Sequence, residues 1–173
     1  MAKRSLCIGI IGTGWVAGAH VMNFRQIDGC TITAVCSRDK KRAQQFVTDQ
    51  QLGAAGAYDD LKAFLAHREI DVVVICTPHP NHPAETIAAA RAGKHIVIEK
   101  PVAMTRADLR KMLAAVNKAQ VKTSVCFELR WVGLFKNIKA VSGQGMLGTL
   151  YYGESSYFHG IGPWYGQYGW NIK

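Results

Sequence analysis

A short glycine-containing segment near the start of the chain has the spacing of a dinucleotide-binding turn. Gly12-Thr13-Gly14-Trp15-Val16-Ala17 fits the pattern Gly-x-Gly-x-x-Gly/Ala and directly follows the apolar run 6–11. The first glycine of that pattern permits a tight turn, the second lets the backbone approach a pyrophosphate, and the small third residue lets a helix pack on the strand. The segment therefore predicts dinucleotide binding, and the alternative is a purely structural turn. The cofactor-binding residues would be Gly12, Thr13, Gly14, Trp15 and Val16.

The residues that follow the β-rich run 31–36 indicate which dinucleotide is bound. A site that prefers NAD usually places Asp or Glu there, to bind the ribose 2′-hydroxyl. This chain has Ser37 at that position, followed by Arg38. Because a hydroxyl and a guanidinium suit a 2′-phosphate, the sequence predicts a preference for NADP, with NAD still possible. The alternative is that Arg38 is a solvated loop residue and that Asp39 caps the next helix.

The elements that must position these residues alternate between strand and helix. Strands are expected over 6–11, 31–36, 71–76, 95–98 and 122–127. Helices are expected over 17–25, 38–49, 61–67, 83–92 and 105–119. Alternation of this kind implies βαβ units and a parallel sheet. We therefore predict an α/β fold, a Rossmann doubly wound parallel sheet, with residues 1–125 as the NAD(P)-binding domain.

The pattern changes beyond residue 127. One more helix is expected over 131–141, and the Tyr- and Ser-rich segment 149–158 is typical of a strand in a different sheet. We expect residues 126–173 to be the incomplete start of an α+β second domain for substrate binding and oligomerisation. Its last aromatic residues should be poorly packed or covered by a neighbouring chain. They are Trp164, Tyr165, Tyr168 and Trp170.

Composition excludes several classes of function. The 173 residues are 49% apolar, which predicts a real core and excludes disorder. The five cysteines are odd in number and lack Cys-x-x-Cys spacing, so we predict reduced cytoplasmic thiols and no metal site. The net charge of +9 suits a phosphate-bearing small molecule, and no nucleic-acid signature accompanies it. No apolar run approaches the about 20 residues of a membrane span, and glycines interrupt the signal-like start of the chain.

Two further motifs carry a resemblance to a known family. The run 75–82 reads Ile-Cys-Thr-Pro-His-Pro-Asn-His, and the run 92–101 reads Ala-Gly-Lys-His-Ile-Val-Ile-Glu-Lys-Pro. Together with the glycine turn, these runs resemble the glucose–fructose oxidoreductase / inositol dehydrogenase / rhizopine-catabolism (Gfo/Idh/MocA) family. Arg130 and the Gly145-x-x-Gly148 step fit as well, so the resemblance covers essentially the whole chain. It implies an NAD(P)-dependent oxidoreductase that acts on the CH–OH group of a sugar, cyclitol or related polyol.

The resemblance also implies roles for residues of the second motif. Lys100 would lie beside the nicotinamide and the reacting hydroxyl, as the catalytic residue. Glu99 would orient Lys100 and line the nicotinamide site, and Pro101 would fix the turn through a cis peptide. From the sequence alone, Lys100 could equally be a surface lysine.

The first motif and the start of the second domain would complete the cofactor site. Thr77 and Pro78 would contact the cofactor, and Asn81 and His82 would lie near its ribose and nicotinamide. Arg130 would join them from the second domain. The alternative for His82 is a structural role, and the other two histidines of these motifs, at 79 and 95, are interpreted as structural.

Members of this family are about twice as long as this chain. Their second domain carries a Gly-rich turn, an Asp and a His, and nothing places His159 at that catalytic position. We therefore expect the 173 residues alone to bind cofactor but to turn over little substrate, and the full-length protein to be a homo-oligomer. The alternative function is a non-catalytic NADP-binding protein, such as a sensor or a truncated gene product.

Overall fold

The computed structural model describes residues 5–158. Six parallel strands form one sheet in the order β3-β2-β1-β4-β5-β6. This order is that of the doubly wound dinucleotide-binding fold, which confirms the predicted fold class. The strands are β1 Leu6–Ile11, β2 Cys30–Cys36, β3 Gly56–Tyr58, β4 Val72–Ile75, β5 His95–Ile98 and β6 Thr123–Val125.

Five helices connect the strands, and a sixth follows β6. They are α1 Trp15–Phe24, α2 Lys40–Asp49, α3 Leu61–Leu65, α4 His82–Arg91, α5 Arg106–Ala119 and α6 Gly133–Gly143. Side-chain caps explain several starts: Asp39 accepts from the Lys41 amide before α2, and Asp60 accepts from the Ala63 amide before α3. Thr105 accepts from the Asp108 amide at the start of α5, the interaction expected from the Thr-x-x-Asp spacing.

Both faces of the sheet are covered, because side chains alternate along each strand. From β4, Val74 joins one buried cluster with residues of α1 and α2, including Ala17 and Phe46. Val73 joins a second cluster with residues of α3, α4 and α5, including Phe64. Strands buried on both faces account for the nearly continuous apolar runs in the sequence.

The first strand carries a register irregularity at a glycine that lies against an aromatic ring. Its pairing with β2 shifts between Ile8 and Gly9. A Cβ atom added at Gly9 would lie 2.6 Å from Phe64 Cζ and 2.9 Å from Ile70 Cδ1. The absence of a side chain at Gly9 therefore allows the fully buried Phe64 ring to lie against the strand.

The chain divides into two compact units between Cys126 and Phe127. The described part of the second unit contains a 3-10 turn over Glu128–Trp131 and helix α6. The strand expected over 149–158 is wrong, because these residues form neither helix nor strand. A strand needs a neighbouring strand to pair its backbone groups, and no described residue of this unit lies in one. The aromatic residues at 164–170 and His159 lie outside the described residues.

Between residues 5 and 158, no helix is long and apolar enough to cross a membrane.

Candidate cofactor site

The glycine turn lies where the order of strands reverses, between β1 and β4. Gly12 has φ +104°, a conformation that side chains rarely tolerate. Its amide donates to the Cys36 carbonyl over 2.8 Å, and an added Cβ atom would lie 2.7 Å from the Cys76 carbonyl oxygen. Gly12 therefore passes closely between the ends of β2 and β4. This is the crevice in which doubly wound sheets bind ligands.

The start of α1 leaves room for an anionic group. Gly14 is the N-cap residue and provides no side-chain cap, so the first amides of this ten-residue helix are not capped by it. A Cβ atom at Gly14 would meet nothing within 4 Å, and Trp15 beside it is 73% exposed. A pyrophosphate could bind here, because the start of the helix offers amides, the positive end of the helix dipole and open space.

The end of β2 presents a hydroxyl and a guanidinium rather than an acid. Thr13 Oγ1 and Ser37 Oγ lie 3.5 Å apart, which joins the glycine turn to the end of this strand. Arg38 is exposed. The Asp39 carboxylate accepts from the Lys41 amide over 2.8 Å, so it serves as the helix cap considered from the sequence.

The loop after β4 is supported by a buried acid. The Thr77 hydroxyl donates to Glu85, a residue of the first turn of α4 that is 9% exposed. Burial raises the pKa of Glu85 above its usual range, and the hydrogen bond from Thr77 opposes that shift only in part. Glu85 was not predicted from the sequence. The available signal was its position one helical turn after His82, which belongs to the same motif as Thr77.

His82 is fully buried beneath two loops. Its Nδ1 atom lies 2.9 Å from the Pro101 carbonyl oxygen, and its Nε2 atom lies 3.0 Å from the Thr77 carbonyl oxygen. The ring thus joins the loop after β4 to the loop after β5, which favours the structural alternative for this residue. Asn81 is exposed in the 3-10 turn His79–Asn81, close in sequence to Pro78.

The half-buried His79 contacts the His82 ring edge-on, with ring centroids 5.8 Å apart. Burial lowers the pKa of His79, and the neighbouring charges of His82 and Lys100 lower it further. His79 therefore favours its neutral form beside the predicted catalytic lysine.

The loop after β5 presents the Glu-Lys-Pro motif. His20 Nε2, from α1, lies 2.9 Å from Glu99 Oε1, and the Lys100 amide donates to Glu99 Oε2 over 3.3 Å. Burial acts to raise the pKa of Glu99, but the hydrogen bond and charge of His20, together with the amide and charge of Lys100, outweigh it and hold that pKa below its usual value. The Lys100 side chain is exposed, and the Lys100–Pro101 peptide is cis, as the resemblance implies.

Arg130 belongs to the second unit and is described within it. It lies in the 3-10 turn Glu128–Trp131, with its guanidinium carbon 5.5 Å from the centroid of the Phe127 ring. Its role in cofactor binding therefore stays a prediction.

These features define the class of protein. A parallel sheet in this strand order, a glycine turn at the reversal point and an uncapped helix start make residues 5–126 a dinucleotide-binding Rossmann domain.

Comparison with known proteins then gives the family. The oxidoreductase family GFO_IDH_MocA, described as having an NAD-binding Rossmann fold, matches residues 6–127, and the chain belongs to it.

Similar proteins agree with this assignment. The chain is 32% identical to D-apiose dehydrogenase of Paraburkholderia graminis over 158 residues, which are 91% of this chain and 42% of that protein. It is 30% identical to myo-inositol 2-dehydrogenase of Thermotoga maritima, over 82% of this chain and 42% of that protein. The chain thus spans about two fifths of the length of the curated relatives it matches.

Solved structures give the same result. A crystal structure of an NAD binding oxidoreductase from Klebsiella pneumoniae matches with a TM-score of 0.75 and 30% identity, over 83% of this chain and 40% of that one. The WlbA dehydrogenase from Bordetella pertussis, in complex with NADH and UDP-GlcNAcA, matches with a TM-score of 0.79 and 28% identity, over 86% and 42%. The predicted family is confirmed.

Proposed function

We propose that the protein is an NADP-preferring oxidoreductase that moves hydride between nicotinamide and a hydroxyl or ketone of a sugar, cyclitol or related polyol. The observation that carries the proposal is the glycine turn. Gly12 passes between two strand ends, and the start of α1 opens beyond it without a side-chain cap. The names of the apiose and inositol dehydrogenases support the substrate class.

The preference for NADP rests on the end of β2. Ser37 and the exposed Arg38 offer a hydroxyl and a guanidinium to a 2′-phosphate. The nearest acid, Asp39, has a carboxylate oxygen engaged by the Lys41 amide. Lys40, Lys41 and Arg42 follow and make this edge of the site electropositive, which further favours the additional phosphate of NADP.

Lys100 is the residue we propose for the chemical step. The bound nicotinamide supplies or accepts the hydride. The exposed ammonium of Lys100 would hydrogen-bond the substrate oxygen on the carbon that gains or loses this hydride. Glu99, held by His20 and by the Lys100 amide, would orient the lysine at this point of the site.

The remaining site residues complete the proposal. Thr77 and Pro78 follow β4 at the same sheet edge as the glycine turn, so we assign them to the cofactor, together with the exposed Asn81. His82 would act by holding their loop, and Arg130 would contribute from the second unit. A cytoplasmic location is also proposed. The odd number and the spacing of the five cysteines do not form a disulfide framework, which supports this proposal.

Titration of NADPH and NADH by fluorescence tests the cofactor preference. NADPH should bind more tightly than NADH. Arg38→Ala should weaken NADPH binding by about 10- to 150-fold, the loss of one charge-assisted hydrogen bond of about 1.5–3 kcal/mol, and leave NADH binding nearly unchanged.

Arg68→Ala is the matched control, because Arg68 is equally exposed and lies before β4, at the opposite end of the strands. Tighter binding of NADH by the parent chain, or equal effects of the two arginine substitutions, would contradict the proposal.

A further inference from the structure

Three side chains able to bind a metal ion converge beside the Glu-Lys-Pro motif. His20 comes from α1, Glu99 follows β5, and Cys126 follows β6. Their potential ligand atoms all lie within 4.8 Å of one another. None of the three is fully exposed, and the His20 and Glu99 side chains each retain 15% of their accessible surface. The cluster is therefore sheltered by the fold and open enough for an ion to enter.

The ring nitrogen of His20 that makes each contact distinguishes a set of metal ligands from a proton relay. His20 Nε2 lies 2.9 Å from Glu99 Oε1 and 4.0 Å from Cys126 Sγ. A relay from an acid through a histidine to a nucleophile uses both ring nitrogens, one for each partner. Here the same nitrogen faces both the carboxylate and the sulfur. Atoms that converge on one point in this way surround a position that an ion can occupy.

The separations are close to those of a tetrahedral zinc centre. Zn–S bonds of about 2.3 Å and Zn–N bonds of about 2.0–2.1 Å place sulfur and nitrogen roughly 3.5 Å apart, and nitrogen and oxygen roughly 3.3 Å apart. The corresponding distances here are 4.0 Å and 2.9 Å. The two separations from His20 Nε2 therefore differ from the zinc values by roughly half an ångström each, and all three atoms lie within 4.8 Å of one another.

The geometry points to a Zn²⁺ site formed by His20 Nε2, Glu99 Oε1 and Cys126 Sγ, with a fourth position left for water. The mixed set of nitrogen, oxygen and sulfur selects the metal. A thiolate disfavours Mg²⁺ and Ca²⁺, whereas imidazole together with thiolate suits Zn²⁺. Carboxylate and thiolate together balance the charge of a divalent ion, so the occupied site is neutral in this partly buried position.

Cysteine spacing alone predicts no metal site in this chain. The separations explain why: Glu99 is 79 residues from His20, and Cys126 is 106 residues from it. Only the folded sheet brings the three residues together. The site shares Glu99 with the proposed function, but its three ligand atoms lie together without a bound cofactor, so metal binding can be measured on its own.

Metal titration of the full chain, with any affinity tag removed, tests the site. Zn²⁺ followed by calorimetry should bind with one-to-one stoichiometry at micromolar or lower concentration. Co²⁺ should give a near-ultraviolet thiolate charge-transfer band and visible bands of tetrahedral intensity. Cys126→Ala should abolish the charge-transfer band. His20→Ala and Glu99→Gln should each weaken Zn²⁺ binding by about tenfold or more, since even a lost outer-shell partner costs 10- to 100-fold.

Cys30→Ala is the matched control, because Cys30 is also partly exposed but lies at the start of β2. It should leave both metals bound as in the parent chain. Far-ultraviolet circular dichroism of each variant separates loss of a ligand from loss of the fold. Absence of one-to-one binding, or binding by a folded Cys126→Ala variant as tight as that of the parent, would overturn the site. Neither result depends on NADP affinity, so the test leaves the proposed function to be judged separately.

Discussion

Glu85 is a buried carboxyl group that accepts a hydrogen bond from the Thr77 hydroxyl, and its raised pKa has a consequence for stability. The folded chain retains this proton at a higher pH than the unfolded chain does. The contribution of Glu85 to the free energy of unfolding is therefore greatest below the ordinary pKa of 4.5, and it falls as pH rises through the raised folded value.

Glu85→Gln removes this dependence because an amide does not titrate. Urea unfolding between pH 4 and pH 8 should show the variant gaining stability relative to the parent as pH rises. Glu69→Gln, at an exposed position, should run parallel to the parent over the same range. A parent and a Glu85→Gln variant that keep a constant difference in unfolding free energy would contradict the prediction.

At the residue scale, local motifs were predictable and distant partners were not. The glycine turn, the Asp39 cap and the cis bond before Pro101 all involve neighbours in sequence, where spacing limits the possible contacts. The partners of Glu99 and Cys126 come from α1, and no spacing rule connects a helix near the start of the chain to strands near residue 100. Glu85 is intermediate, because its partner Thr77 lies only eight residues away across one tight turn.

Gly9 makes the packing of β1 testable at the element scale. An alanine there would place its Cβ atom 2.6 Å from the buried Phe64 ring. Since overpacking a close-packed core costs typically about 1–3 kcal/mol, Gly9→Ala should lower the free energy of unfolding by about that amount. Adding Phe64→Leu should recover part of the loss, so that the double variant is more stable than the sum of the two single effects predicts.

Gly14→Ala is the control, measured without cofactor. Gly14 has φ −83°, and a Cβ atom there meets nothing within 4 Å, so the unfolding free energy should change little. Equal destabilisation by both alanine substitutions would show that loss of glycine, rather than contact with Phe64, determines the effect.

At the element scale, the strength of the sequence signal decided what was predictable. Strand β5, at His95–Ile98, has the predicted bounds, because an apolar run is bounded by a helix-ending glycine and a charged motif. Strand β3, Gly56–Tyr58, was missed, because three half-buried residues carry neither alternation nor an apolar run. The segment 149–158 had β-forming residues but no described strand to pair with. Pairing is a property of the whole fold rather than of the segment.

Among residues 5–158, the buried core lies within the first unit. Every residue of the two buried apolar clusters, and every residue packed against them, precedes Cys126. A chain ending at Cys126 should therefore fold with a single cooperative transition and a stability close to that of the full chain, and its NADPH affinity should fall only by the contribution proposed for Arg130. Thermal unfolding of the two chains by circular dichroism, with and without NADPH, measures this. Noncooperative unfolding of the shorter chain would show that residues beyond 126 are needed for the core.

The imidazole of His82, placed between the carbonyl groups of Thr77 and Pro101, ties together two loops that sequence order separates by a whole helix. Opening either loop breaks a contact to the same ring, so the two should exchange their amide hydrogens in one shared event rather than in two local ones. Mass-resolved hydrogen exchange should give peptides covering 76–79 and 99–103 a common opening free energy. In the His82→Phe variant, the two peptides should instead have different opening free energies. Different opening free energies for the two peptides in the parent chain would mean that the loops fluctuate independently. A ligand bound to one loop would then not change the stability of the other.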